Sequence, residues 1–217
     1  MKTSLFLSNS EIVDTAFLHF CHSNEIELVA RSLISFKPVP YDSIPDAEVV
    51  FFSSPRSVEF FIESVKNKKY SFACIGNGTA KRLETYGFKA DFVGSNAGQP
   101  DTVAEEFLHW IGKRKVIFPL STKSNRSVSS HVPVGQRFEL IVYETILTGL
   151  DLNYFDVYVF TSPSNVEAFL EVNDLPSESK VIAWGNTTEK RLLKRGISPF
   201  SVLQKSNLRE LEDLLSD

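Results

Sequence analysis

Cysteine and histidine are scarce in this chain of 217 residues, and each scarcity excludes a class of chemistry. The two cysteines, Cys21 and Cys74, supply neither a metal-ligating set nor a disulfide framework. Both sit among apolar neighbours and are expected to be small buried side chains. The four histidines, His19, His22, His109 and His131, lack zinc spacing, so no metal site is expected. Excess charge of one sign is missing as well. With 23 basic and 27 acidic side chains the formal net charge is -4, which argues against a broad nucleic-acid-binding face. A polyanionic ligand gains no long-range attraction and needs a locally favourable site. No apolar run approaches transmembrane length, and "MKTSLFLSNSEIVD" breaks too early to be a signal-peptide core. A cytoplasmic protein with no membrane attachment is the expectation. No G-x-S-x-G elbow is present, and "GNGT" lacks the length and lysine of a nucleotide P-loop.

What is present is core material, 42% hydrophobic with 18 phenylalanines, arranged as strands alternating with helices of about ten residues. "SLFLS" reads as a strand, and Ser10 as the cap of a helix bearing Ile12, Val13, Ala16, Phe17 and Phe20. "AEVVFFSS" is a buried strand, and Pro55 opens a helix carrying Val58, Phe61, Ile62 and Val65. "YSFACI", "ADFVG", "KVIFPL" and "RFELIVYET" continue the strands, with helices after Gly78 and after Asp101. "DVYVFTS", "SKVIAW" and "PFSVLQ" follow, and Ser206 is the expected cap of the last helix. The alternation predicts an α/β fold of two similar domains, each a parallel sheet flanked by helices.

The prediction of two domains rests on a repeat. Phe52, Ser53, Ser54, Pro55, Val58, Glu59 and Phe61 precede Phe160, Thr161, Ser162, Pro163, Val166, Glu167 and Phe169 by 108 positions. Gly76, Asn77, Thr79, Lys81, Arg82, Leu83 and Gly87 precede Gly185, Asn186, Thr188, Lys190, Arg191, Leu192 and Gly196 by 109. Agreement at nearly constant offset marks a duplicated α/β unit. A cleft between two such domains is the expected working surface.

Each copy offers two strand-to-helix turns. In the first half they hold Ser53 with Ser54, and Asn77, Gly78 and Thr79; in the second, Thr161 with Ser162, and Asn186, Thr187 and Thr188. Helix N-termini present unpaired amides and a positive dipole end, so such turns receive anions without lysine or arginine. The same residues are also ordinary N-caps in any α/β protein. Tyr143 ends the apolar strand "FELIVY" just before the second copy. A phenol there can donate a proton or hydrogen bond to a ligand; a strand-end tyrosine can equally pack its ring and leave its hydroxyl wet.

At "FSSPRSV", "CIGNGTAKRLETYGF", "IVYET", "FTSPSNV" and "AWGNTTEKRLLKRGI" the chain resembles the uroporphyrinogen-III synthase family of tetrapyrrole and heme biosynthesis. The resemblance implies a discontinuous domain of residues 1–34 and 150–217, an inserted domain of 38–142, and linker strands at 35–37 and 143–149. It implies a lyase that converts hydroxymethylbilane to uroporphyrinogen III, losing water, inverting the terminal ring and using no cofactor. It places Tyr143 at departure of the hydroxyl and Ser53, Ser54, Asn77, Gly78, Thr79, Ser162, Asn186, Thr187 and Thr188 on the carboxylate side chains. The implied protein is a monomer, and hydroxymethylbilane synthase is the enzyme from which the bilane would come, by hand-over or free diffusion. Three features depart from the family pattern: "FLSNS" lacks its "T-R", Trp184 stands in "AWG", and Lys123 and Arg126 lie in a loop as anion contacts or as solvated charge. The competing expectation is a non-catalytic two-domain binding or sensor module for a small anion.

Overall fold

The structure is a computed structural model and describes residues 2–216. In chain order the first elements are β1 (Thr3–Leu7), α1 (Thr15–Ser23), β2 (Ile26–Ala30) and β3 (Ile34–Pro38). Next come β4 (Val49–Phe52), α2 (Pro55–Val65), β5 (Ser71–Cys74), α3 (Asn77–Glu84), β6 (Phe92–Val93) and α4 (Pro100–Ile111). After β7 (Val116–Ser121) a short 3-10 turn, Ser129–His131, leads to the long β8 (Arg137–Leu147). The last are β9 (Val157–Phe160), α5 (Pro163–Leu170), β10 (Lys180–Ala183), α6 (Asn186–Lys194), β11 (Ser201–Val202) and α7 (Leu208–Ser216).

Contacts divide the chain into two compact units, Met1–Ser35 with Ile146–Asp217, and Phe36–Thr145. One sheet has the order β11-β10-β9-β1-β2 and the other β3-β8-β7-β4-β5-β6. Within them β1, β2, β9, β10 and β11 run parallel, as do β4 to β8. The β3–β8 pair differs. The amide of Thr148 donates to Leu33 and that of Val39 to Val142, so one residue number falls as the other rises and the strands are antiparallel. The chain passes from one unit to the other along β3 and returns along β8. The apolar–polar alternation in "IELVARSLISFKPV" is two strands, β2 and β3, interrupted at residues 31–33.

Period-two alternation explains why the central strands are apolar throughout. In β4, Val50 and Phe52 join the cluster of Val58, Phe61 and Leu83, whereas Val49 and Phe51 join that of Val103, Phe107 and Phe118. The other unit repeats the division: Phe6, Tyr158 and Phe160 pack with Val166 and Phe169, while Leu5, Leu7, Val157 and Val159 pack with Phe17 and Leu211.

Four helix starts differ from expectation, and α3 is one, beginning at Asn77 rather than after Gly78. Asp14, not Ser10, caps α1, its Oδ1 accepting from the Phe17 amide at 2.8 Å. Ile12 and Val13 belong to the approach and pack against the core from there. Ser206 has φ 49°, outside the extended geometry of a cap, and the side-chain Oδ1 of Asn207 accepts from the Glu210 amide at 2.9 Å instead. Asp101 lies inside the first turn of α4 rather than ahead of it, where its charge favours the helix dipole.

Most of the repeated residues have a structural role. Pro55 and Pro163 occupy the first turns of their helices, and Val58, Phe61, Leu83, Val166, Phe169 and Leu192 are core. Gly87 (φ 81°) and Gly196 (φ 76°) close helices in the left-handed region. Gly76 and Gly185 are extended, and close approach is their reason. A Cβ on Gly76 would stand 2.8 Å from that of Ala97, and one on Gly185 3.0 Å from the hydroxyl of Ser206. Glu59 pairs with Arg82 at 3.1 Å, and its counterpart Glu167 with Arg191 at 3.3 Å, each joining the two helices of its copy. Nothing in the structure explains the repetition of Lys81 as Lys190.

Candidate active site

Parallel strands gather their carboxyl ends at one edge of a sheet, where βα turns leave backbone amides exposed. In the continuous unit that edge carries Tyr143 on β8, Ser121 at the end of β7, Ser54 after β4 and the Asn77–Thr79 turn after β5. These strands are neighbours in that order. The Tyr143 hydroxyl reaches across to Ser54, oxygen to oxygen at 3.3 Å.

The phenol is fixed by its ring. Tyr143 is 7% exposed and stacks on Phe60 at 5.1 Å, with Phe36 edge-on at 5.9 Å. Burial raises its pKa above the ordinary 10, against the opposing effects of the Ser54 hydrogen bond, the Arg56 charge and the Ser121 hydroxyl. At neutral pH Tyr143 is therefore a protonated donor, not a phenolate base.

Ser54 is both an anchor and a contact. Its hydroxyl accepts the Ser57 amide at 3.1 Å while Ser57 donates back to the Ser54 carbonyl at 2.7 Å. Ser53 beside it is half-buried, and its hydroxyl makes no hydrogen bond among the described residues. In the Asn77–Thr79 turn, Thr79 and Ala80 both donate to the Gly76 carbonyl, at 3.1 Å each. The amides of Asn77 and Gly78 find no acceptor among the described residues. Thr79 itself is buried; Asn77 and Gly78 are exposed.

The other unit presents a related set. Ser162 accepts from both the amide and the side chain of Asn165, at 3.2 and 3.0 Å, which leaves only its own O–H for a ligand. Asn165 in turn accepts the Leu33 amide at 2.9 Å. Thr188 and Glu189 donate to the Gly185 carbonyl at 3.0 Å, so the amides of Asn186 and Thr187 stay open among the described residues. Thr188 is buried and Thr187 exposed.

Two contributors escaped the sequence reading. Ser8, fully buried at the end of β1, accepts the Thr161 amide at 2.8 Å and lies 3.2 Å from the Thr161 hydroxyl. Its signal was "FLSNS", a hydroxyl residue at a strand's carboxyl end. Ser121 had a similar signal in "FPLST", but pairing with Tyr143 depends on register, which no local pattern reveals. Arg126 is engaged by Glu139 at 2.8 Å, whereas Lys123 is exposed and makes no ion pair among the described residues. Trp184 flanks the second glycine turn and lines a hollow of about 650 Å³ with Ile12, Asp14, Lys205 and Arg209.

Comparison with known proteins supports one family throughout. Residues 21–211 match the model of the family described as uroporphyrinogen-III synthase HemD. A uroporphyrinogen-III synthase of Chlorobaculum parvum is 26% identical, over 79% of this chain and 81% of that protein. The crystal structure of uroporphyrinogen-III synthetase from Helicobacter pylori superposes with a TM-score of 0.70 at 22% identity, covering 100% of this chain and 99% of the other. A mutant uroporphyrinogen III synthase from Thermus thermophilus gives 0.60 at 14% identity, covering 99% and 98%. These two structural likenesses bear on the fold, and both extend over the whole α/β arrangement.

Proposed function

Because the chain belongs to the uroporphyrinogen-III synthase family, whose members cyclise hydroxymethylbilane, we propose that Tyr143 is the acid that assists departure of the substrate's hydroxyl. The observation that carries this is the buried, protonated phenol at the carboxyl edge of its sheet, 3.3 Å from Ser54.

Electron release from the terminal pyrrole expels the hydroxyl, which takes the phenolic proton and leaves as water. The azafulvenium cation so formed is then attacked by the substituted carbon of the last ring, and inversion through a spirocycle precedes closure. The proton lost on rearomatisation returns to the phenolate, so Tyr143 ends as it began. Closure without inversion occurs unaided, so the protein's larger task is to hold one folded conformation of the bilane. Ser53, Ser54, Asn77, Gly78 and Thr79 on one unit, and Ser162, Asn186, Thr187 and Thr188 on the other, are the proposed carboxylate contacts. Open amides and outward hydroxyls supply local attraction for acetate and propionate groups despite the protein's negative charge.

Among the described residues no helix is long and apolar enough to cross a membrane. The proposal extends to a cytoplasmic monomer that receives the unstable bilane from hydroxymethylbilane synthase by transient contact. The family match favours catalysis over the non-catalytic two-domain binding or sensor module.

Freshly generated hydroxymethylbilane mixed with the protein, with oxidised products resolved by isomer, tests the reading. Predominant isomer III is expected, and isomer I alone at the uncatalysed rate would overturn it. Tyr143→Phe should lower turnover roughly tenfold to a hundredfold, the scale of a proton-transfer contribution. Isomer III should persist in that variant, because the carboxylate contacts are untouched.

A further inference from the structure

We infer that Arg31 is a substrate-binding residue, the cation that receives one carboxylate of the bilane at the start of α5. The inference rests on the reading of the chain as the cyclase and adds a contact within its discontinuous unit. β1 and β2 pair in parallel as far as Leu7 with Ala30. The Arg31 amide donates to the Leu7 carbonyl at 2.9 Å, which carries the ladder one residue past β2. Arg31 therefore stands at the carboxyl edge of the sheet, next to Ser8. Strand alternation puts it on the face of Val29, which packs in the cluster of Val166 and Phe169 from α5.

The residues that follow fasten this position to the helix. The Leu33 amide donates to Asn165 Oδ1 at 2.9 Å, and Asn165 Nδ2 donates to the Ser162 hydroxyl at 3.0 Å. Between them the Ser32 hydroxyl donates to the Ile34 carbonyl at 3.0 Å. On the other side Ser8 lies 3.2 Å from the Thr161 hydroxyl. Arg31 is thus held between the Ser8–Thr161 pair and the first turn of α5.

Its guanidinium has no structural duty there. The side chain is exposed and makes no hydrogen bond or ion pair among the described residues. Around it are groups that can only donate. Ser162 has its O–H left to give, and the Ser164 amide finds no acceptor among the described residues. A guanidinium fork beside a hydroxyl and an amide matches a carboxylate, which only accepts. Lys205 and Arg209 follow β11, at the opposite end of the same sheet. The proposed contacts after β9 and β10 offer hydroxyls and amides, so Arg31 brings a full charge to its end of the edge.

The test is steady-state turnover of hydroxymethylbilane by the full chain, with oxidised products resolved by isomer. Arg31→Gln should raise KM roughly fivefold to tenfold, the effect of one partly exposed charge-assisted contact, with kcat unchanged. Arg31→Lys keeps the charge but loses the fork, and its KM should fall between the two. Added salt should raise the parent's KM more steeply than that of Arg31→Gln. Lys194→Gln removes a charge from the far end of α6 and should leave KM as in the parent. An unchanged KM in Arg31→Gln, or an equal rise in Lys194→Gln, would overturn the Arg31 contact. A parent that yields isomer I alone would instead overturn the reading on which the contact stands.

Discussion

Burial acts in the same direction on several weak acids of this protein. Cys21 and Cys74 are pushed up to about 11 and about 12, Cys21 by desolvation and then by the Glu212 charge, Cys74 by desolvation. Tyr143 is raised for the same first reason. For the thiols the result is inertness, because the thiolate is the reactive form. Iodoacetamide at pH 8 should leave both cysteines unmodified in the native protein and alkylate both in denaturant, as read by intact mass. Rapid native alkylation of either would show that its surroundings open. That these cysteines are buried was legible from apolar neighbours alone. The phenol was harder to read: strand-end position allows a packed ring or a chemical hydroxyl, and here one side chain does both. Its ring belongs to the core of Val58, Phe61 and Val142, while its oxygen reaches Ser54.

The repeated phrases describe helix pairs more than ligand contacts. Ser54 and Ser162 cap, the prolines start helices, and Glu59 and Glu167 tie α2 to α3 and α5 to α6. Helices and strands were legible because apolar periodicity and Pro–Gly punctuation are local. The caps at Asp14 and Asn207 were misplaced because neighbouring polar residues compete and tertiary packing decides among them. Glu167 gives an element-level test. The Arg195 hydrogen bond, aided by the charges of Arg195 and Arg191, holds its carboxyl below the ordinary 4.5. A depressed folded-state pKa means stabilisation that is complete above the unfolded value and lost as pH falls through the folded one. Glu167→Gln should therefore lower the melting temperature at pH 7 by roughly 2–4 °C. The gap from the parent should narrow below about pH 4.5, where protonation removes the same charge. A gap independent of pH would point to packing instead.

At the scale of the molecule, Phe36–Thr145 is continuous in sequence and has a cluster of buried side chains on each face of its sheet. A stretch of this size with its own core is expected to fold alone. Expressed as residues 36–145, it should melt cooperatively and show dispersed amide resonances; a non-cooperative, collapsed fragment would contradict this. The other unit has no such independence, because its sheet draws on both chain ends. Duplication could be counted in the sequence, but nothing local in "TSLFL" says that one neighbour of the strand lies far ahead. Partner choice is a global property, whereas strand formation is a local one.

That arrangement has a consequence during synthesis. The Ser4 amide finds its acceptor in Asp156, 152 positions later, and β1 is flanked by β2 on one side and by β9 on the other. At ordinary elongation rates the ribosome needs roughly 8 to 30 seconds to cover that distance. Throughout it the nascent chain carries Leu5, Phe6 and Leu7 with an unpaired strand edge, while the intervening stretch already has all it needs to close. The first residues to emerge are thus among the last to be secured, and a chaperone that shields short apolar segments would find its natural client there.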